Sequence, residues 1–143
     1  MTNGNHNFAN RQDCPDSGEI LFEQYLEEKE LKYHRVGFDS HLNPVSNYWK
    51  VHHTIRSLPD YLVEKGKDLI WCHVKGTANF KLKDFADYTD FDLNYKHDCL
   101  FYVVFCFKDK QPIFRTMDEI KKLMVGQTVK QWHDGVKYIN LNL

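Results

Sequence analysis

The sequence predicts a single α/β domain, a mixed central sheet flanked by helices in the order αβββαβ. Three observations predict it. An apolar stripe at helical spacing follows Ser17, two strand-like segments meet at Lys65-Gly66-Lys67, and Leu100 to Phe107 is almost wholly apolar. At 143 residues the chain has the common size of one hydrophobic core. Its 42% hydrophobic residues supply enough apolar surface to fill that core, which excludes wholesale disorder. The expected organisation is a flexible tail over residues 1–16 and one domain over 17–143.

The tail holds four Asn, one Gly and one Pro and little apolar content. It carries no apolar h-region, so the expectation is a cytoplasmic protein without a secretory signal. Asp16-Ser17-Gly18-Glu19 then opens a helix. Asp16 suits the N-cap and Glu19 lies three residues on, as in a capping box. Ile20, Leu21, Phe22, Tyr25, Leu26 and Leu31 form the apolar side of a helix that ends near Glu30. Glu23, Glu27, Glu28 and Glu30 make the other side acidic.

Lys32 to Gly37 reads as a short strand. Phe38 to Ser57 is polar and irregular around Pro44. A connection this long is often functional, and its Trp49, His52, His53 and Arg56 are candidates to face a ligand. Ser57 to Glu64 and Asp68 to Lys75 read as the two strands of a hairpin. In the second, Ile70, Cys72 and Val74 share one face, and Trp71, His73 and Lys75 the other.

Lys81 to Leu93 predicts a helix packed on the sheet. The run Leu100 to Phe107 has the composition of a central strand covered on both faces. Ile113-Phe114 adds a short strand. Thr116 to Met124 is a helix with Asp118-Glu119 in its first turn, favourable against the helix dipole. Val136 to Leu143 predicts an edge strand or an arm.

The charge excludes one class and leaves another. With 19 Lys+Arg against 20 Asp+Glu, the chain does not coat nucleic acid through bulk charge. A nucleic-acid enzyme remains open, because a bound metal and a few local lysines supply the positive field. No apolar run approaches the roughly 18 residues of a membrane span. Cys14, Cys72, Cys99 and Cys106 form no CxxC and are read as reduced thiols. Neither His52-His53 nor Cys72-His73 has structural-zinc spacing.

The informative residues are Pro59-Asp60 and His73-Val74-Lys75. A hairpin brings the start of its first strand opposite the end of its second. Asp60 and His73 are then expected within a few ångströms, with Lys75 on the same face as His73. A carboxylate, an imidazole and an ammonium converging in this way suit a divalent cation with a water beside it.

This pattern resembles the PD-(D/E)xK nuclease superfamily, the restriction-endonuclease-like fold that Holliday-junction resolvases share. Its core is αβββαβ, and its signature is Pro-Asp on the second strand followed by an acid-x-Lys on the third. Here Pro59-Asp60 is followed, after twelve intervening residues, by His73-Val74-Lys75. The helix with Glu19, Gly76-Thr77 after the lysine, and Phe80-Lys-Leu-Lys-Asp-Phe leading into the next helix also agree. The resemblance covers roughly residues 17–125.

The resemblance implies a metal-dependent nuclease that hydrolyses DNA phosphodiester bonds. Asp60 would be the main metal ligand, joined by His73 and the backbone carbonyl of Val74. Lys75 would assist the attacking water and stabilise charge growing on the phosphate. Glu19 matches the helix glutamate that serves this site in many members, with Glu23 as the alternative. Lys81 and Lys83 are candidate phosphate contacts, as are Lys65 and Lys67 on the hairpin turn. Many such nucleases act as dimers, and the apolar C-terminal tail offers a surface for a homodimer.

One position departs from the pattern. The acid of acid-x-Lys is His73 here. Imidazole adds no negative charge. Magnesium prefers oxygen ligands, whereas manganese accepts nitrogen, so the expected cofactor is Mn²⁺ in preference to Mg²⁺. Two other readings stand beside the nuclease. One is a catalytically weakened member of the fold that binds nucleic acid or a protein partner. The other is an unrelated small α/β binding domain, which requires that Asp60, His73 and Lys75 do not converge.

Overall fold

The computed structural model describes residues 17–37, 58–95 and 99–143. The proposed N-cap Asp16, and Trp49, His52, His53 and Arg56, lie outside the described residues.

Helix α1 spans Ser17–Glu28 and strand β1 Lys32–Arg35. The hairpin follows as β2, Tyr61–Lys65, and β3, Asp68–Lys75. Lys65 pairs with Asp68, so the turn is the two residues Gly66-Lys67, and Gly66 takes φ +62°, where glycine carries no Cβ penalty. A three-residue strand β4, Asn79–Lys81, leads into helix α2, Leu82–Tyr95. Then come β5 (Leu100–Phe105), β6 (Ile113–Arg115), α3 (Met117–Met124), β7 (Lys130–Gln131) and β8 (Lys137–Asn140).

The main sheet has the order β1-β2-β3-β5-β6, antiparallel except for the parallel pair β3–β5. That parallel pair requires a crossover, and the chain supplies α2 for it. The predicted αβββαβ order and the mixed sheet between helices are therefore present.

The two faces of the sheet bury different halves of the core. Phe22 and Leu26 of α1 pack on Tyr61, Val63, Cys72, Val74 and Val104. Tyr88 and Phe91 of α2 and Ile120 of α3 pack with Phe80, Phe101, Val103 and Phe105 on the other face. The alternation in β5 sorts its side chains between these clusters, which is why the run reads as continuously apolar. Cys72 lies in the core on the α1 side, as the alternation predicts.

Two expectations need correction. The first hairpin strand begins at Tyr61, not Ser57, so Pro59-Asp60 precede the strand rather than start it. Proline has no N–H to give to a ladder, which favours a start beyond it. The C-terminal segment is not an edge strand or an arm: β8 is the middle strand of a second sheet, β4-β8-β7. Its partners, β4 and β7, are too short to have been read from periodicity.

Candidate active site

The end of β3 is where the chemistry gathers. Beyond Tyr61, β2 no longer offers a backbone partner to β3. Asp60 supplies one with its side chain, its Oδ2 accepting from the Val74 N–H at 2.8 Å. Its backbone carbonyl accepts from the Val36 N–H at 3.0 Å. Asp60 is thus pinned from both neighbouring strands. Gly37 permits this approach, since a Cβ there would stand 3.3 Å from the Asp60 Cα.

His73 and Lys75 point to the α2 face, as the period of two requires. His73 Nδ1 lies 3.9 Å from Asp60 Oδ2. The His73 ring is buried and stacks on Tyr88, with centroids 3.7 Å apart and planes 20° apart. Burial, with help from the Lys75 ammonium, holds its pKa well below the ordinary histidine value, so the ring is neutral. Among the described residues, its Nε2 is buried without a hydrogen-bond partner. Tyr88 itself stays protonated: burial pushes its pKa well up, and Asp84, Asp60 and Asp87 add to the effect.

Lys75 reaches Asp84 in the first turn of α2, with Nζ 2.5 Å from Oδ2. The ammonium also lies 5.3 Å from the centre of the Tyr88 ring. Both members of this ion pair are partly open to solvent. Asp84 was not singled out by the sequence. Its only signal there is an acid in the first turn of a helix, which the helix dipole already accounts for.

Glu19 is placed differently. Gly18 sets α1 hard against the end of β3: a Cβ on it would stand 3.0 Å from the Gly76 nitrogen. Glu19 therefore begins near the site. Its Oε1, however, lies 3.2 Å from Arg35 Nη2. Arg35 pairs with Tyr61 across β1–β2, and both belong to the α1 face. Burial works against the Arg35 charge, but Tyr61, Glu19 and Glu23 outweigh it and raise its pKa. Glu23 is bound there too, taking a bond from Arg35 Nη1 at 3.0 Å and another from the Tyr61 hydroxyl. The structure puts Asp60 beside His73, with Lys75 on the same face as His73, and pairs Glu19 and Glu23 with Arg35.

Lys81 and Lys83 flank the start of α2, exposed and close in sequence to Asp84. Lys65 and Lys67 lie at the turn, the opposite end of β3, roughly 23 Å from Lys75 at the rise of an extended strand. They do not join the site.

Among the described residues, no three His, Cys, Asp or Glu side chains gather closely enough to ligate one ion. Two donors, Asp60 Oδ2 and His73 Nδ1, face each other. A hydrated magnesium or manganese ion commonly keeps several waters and takes only one or two protein ligands, so this pair fits such an ion as an open site. A neutral imidazole is also the form that ligates. Among the described residues, no helix is long and apolar enough to cross a membrane.

No protein-family model matches the chain. No curated protein matches it either. Among solved structures, it is similar to Hjc, a Holliday junction resolvase from the archaeal hyperthermophile Archaeoglobus fulgidus. The identity is 10% and the TM-score 0.48, over 89% of this chain and 85% of that one.

Proposed function

We propose that this chain is a divalent-metal-dependent nuclease domain acting on DNA phosphodiester bonds. The observation that carries the reading is the meeting of Asp60, His73 and Lys75 at one end of β3, with Asp60 Oδ2 3.9 Å from His73 Nδ1. Accidental Pro-Asp and His-x-Lys motifs on an unrelated domain would have no reason to converge.

Asp60 and His73 would hold the ion, with the Val74 carbonyl as a further donor. A bound divalent ion polarises a phosphoryl oxygen and lowers the pKa of a water beside it. Lys75 then places positive charge where the phosphate oxygens gain negative charge, without a covalent enzyme intermediate. The Tyr88 ring fixes His73 in place, so the imidazole loses little freedom on ligation. Lys81 and Lys83, exposed at the start of α2, would meet flanking phosphates.

Two observations favour a second reading, a weakened member of the fold that binds DNA or a protein without cutting. His73 is buried in an aromatic stack, and Lys75 is already engaged by Asp84. Cleavage of linear and branched DNA decides between them. Incubation with Mn²⁺ is expected to give nicks, with less product in Mg²⁺, and His73→Glu is expected to shift the preference toward Mg²⁺. Asp60→Asn should stop cleavage in both. DNA binding without cleavage in either metal would establish the second reading. Equal or better native activity in Mg²⁺ would remove the role given to His73.

A further inference from the structure

We infer that Asp84 supplies to this site the negative charge that His73 does not, acting as a positioning carboxylate for the hydrated cation held at Asp60. The inference rests on the metal-site reading above and extends it to a residue on another element. Its basis is a charge count. Asp60 is an anion, Lys75 is a cation, and an imidazole contributes no negative charge in either protonation state. Those three groups sum to zero or above, a poor field for a divalent cation. Asp84, with Oδ2 2.5 Å from Lys75 Nζ, returns the balance to that of two carboxylates and one ammonium.

The placement supports the same conclusion. His73 and Lys75 lie on one face of β3, and α2 begins over that face. Tyr88, one turn after Asp84, stacks on His73 and lies beneath the Lys75 ammonium. His73 turns its Nδ1 toward Asp60, and its Nε2, on another side of the ring, is buried without a hydrogen-bond partner among the described residues. Asp84 is not close enough to Asp60 and His73 to complete a three-ligand group. Its action is therefore through water and through Lys75, whose repulsion of a divalent ion it offsets. Carboxylates in such outer positions typically change metal affinity by 10- to 100-fold.

The experiment is Mn²⁺ titration of the full chain, followed by the loss of the free-ion electron paramagnetic resonance signal. The variants are Asp84→Asn, Asp84→Glu, Lys75→Gln and the Asp84→Asn/Lys75→Gln double variant, with Asp60→Asn as the reference and circular dichroism melting to follow folding. Asp84→Asn is expected to weaken binding about tenfold or more, and Asp84→Glu to retain it within about threefold. Lys75→Gln, which removes a competing cation, is expected to tighten binding. The double variant must still bind more weakly than Lys75→Gln alone, because the Asp84 charge also acts on the ion. It carries no unpaired lysine, so it keeps the question open should Asp84→Asn alone fold poorly.

Native affinity in Asp84→Asn, or a double variant equal to Lys75→Gln, overturns the inference. Where Asp60→Asn abolishes binding and Asp84→Asn does not, only the role of Asp84 fails. Where the native chain binds no Mn²⁺, or binds it regardless of Asp60, the metal-site reading fails and the inference with it.

Discussion

Asp60 has two separable roles. Its carboxylate accepts the Val74 N–H at 2.8 Å, which the end of β2 leaves without a strand partner, and it is also the anion facing His73. The first role needs only an acceptor; the second needs charge. Asp60→Asn keeps an oxygen to accept from Val74, so the melting midpoint should move little. Asp60→Ala leaves that N–H unpaired, at a cost of about 1–3 kcal/mol. Both variants should lose Mn²⁺ binding. A comparison of the two by urea unfolding and Mn²⁺ titration checks this, and an Asp60→Asn variant that still bound the ion would reduce Asp60 to a strand cap. The residues of this site were unequally legible. Asp60, His73 and Lys75 were readable because hairpin register and a period of two are local rules. Asp84 was not, because its meeting with Lys75 crosses β4 and the start of α2, and no periodicity encodes that distance. Arg35 was hidden for a similar reason: nothing in Lys-Tyr-His-Arg tells which glutamates an adjacent helix will offer it.

Among the elements, α3 shows a local rule at its clearest. Thr116 caps it, its hydroxyl accepting from the Glu119 N–H at 3.2 Å, while the Glu119 carboxylate accepts from the Thr116 N–H at 2.9 Å. This reciprocal box satisfies two backbone donors that a helix start otherwise leaves to solvent. Thr116→Ala is expected to cost about 1 kcal/mol at neutral pH. The bond from the Thr116 backbone also holds the Glu119 pKa below its ordinary value of 4.5. A carboxyl depressed in the folded state stabilises the fold above its unfolded pKa, and that contribution is lost as pH falls through the folded value. Urea midpoints measured from pH 7 to pH 3 should therefore fall less steeply below about 4.5 in Glu119→Gln than in the native chain. An unchanged acid slope would show that the box contributes nothing in solution. Acid residues in this first turn were visible in the sequence, whereas β4 and β7, at three and two residues, carry no pattern to see.

At the scale of the whole molecule, the C-terminal strand connects distant chain segments to the site. Asn79 of β4 and Asn140 of β8 are paired across 61 residues, which is why the segment read as an edge when taken alone. Its Ile139 and Leu141 are buried in the cluster that contains Phe80 and Tyr88. Tyr88 in turn stacks on His73. The wall of the proposed metal site thus rests on residues near the last position of the chain. Ile139→Ala removes buried methyl groups from the middle strand of the small sheet and leaves a cavity, at an expected cost of about 2–5 kcal/mol. That is a large part of the roughly 5–15 kcal/mol by which a domain of this kind is stable. Asn140→Ala, on the same strand but exposed, should cost at most about 1 kcal/mol, since its 2.7 Å bond to Asn79 is open to water. Urea unfolding of the two variants measures the difference. Should Ile139→Ala prove no worse than Asn140→Ala, β8 would be a peripheral strap rather than part of the core. If it is much worse, the near-ultraviolet circular dichroism of the packed aromatics, Tyr88 among them, should weaken before the secondary structure is lost, because the cavity opens directly beneath that ring's cluster.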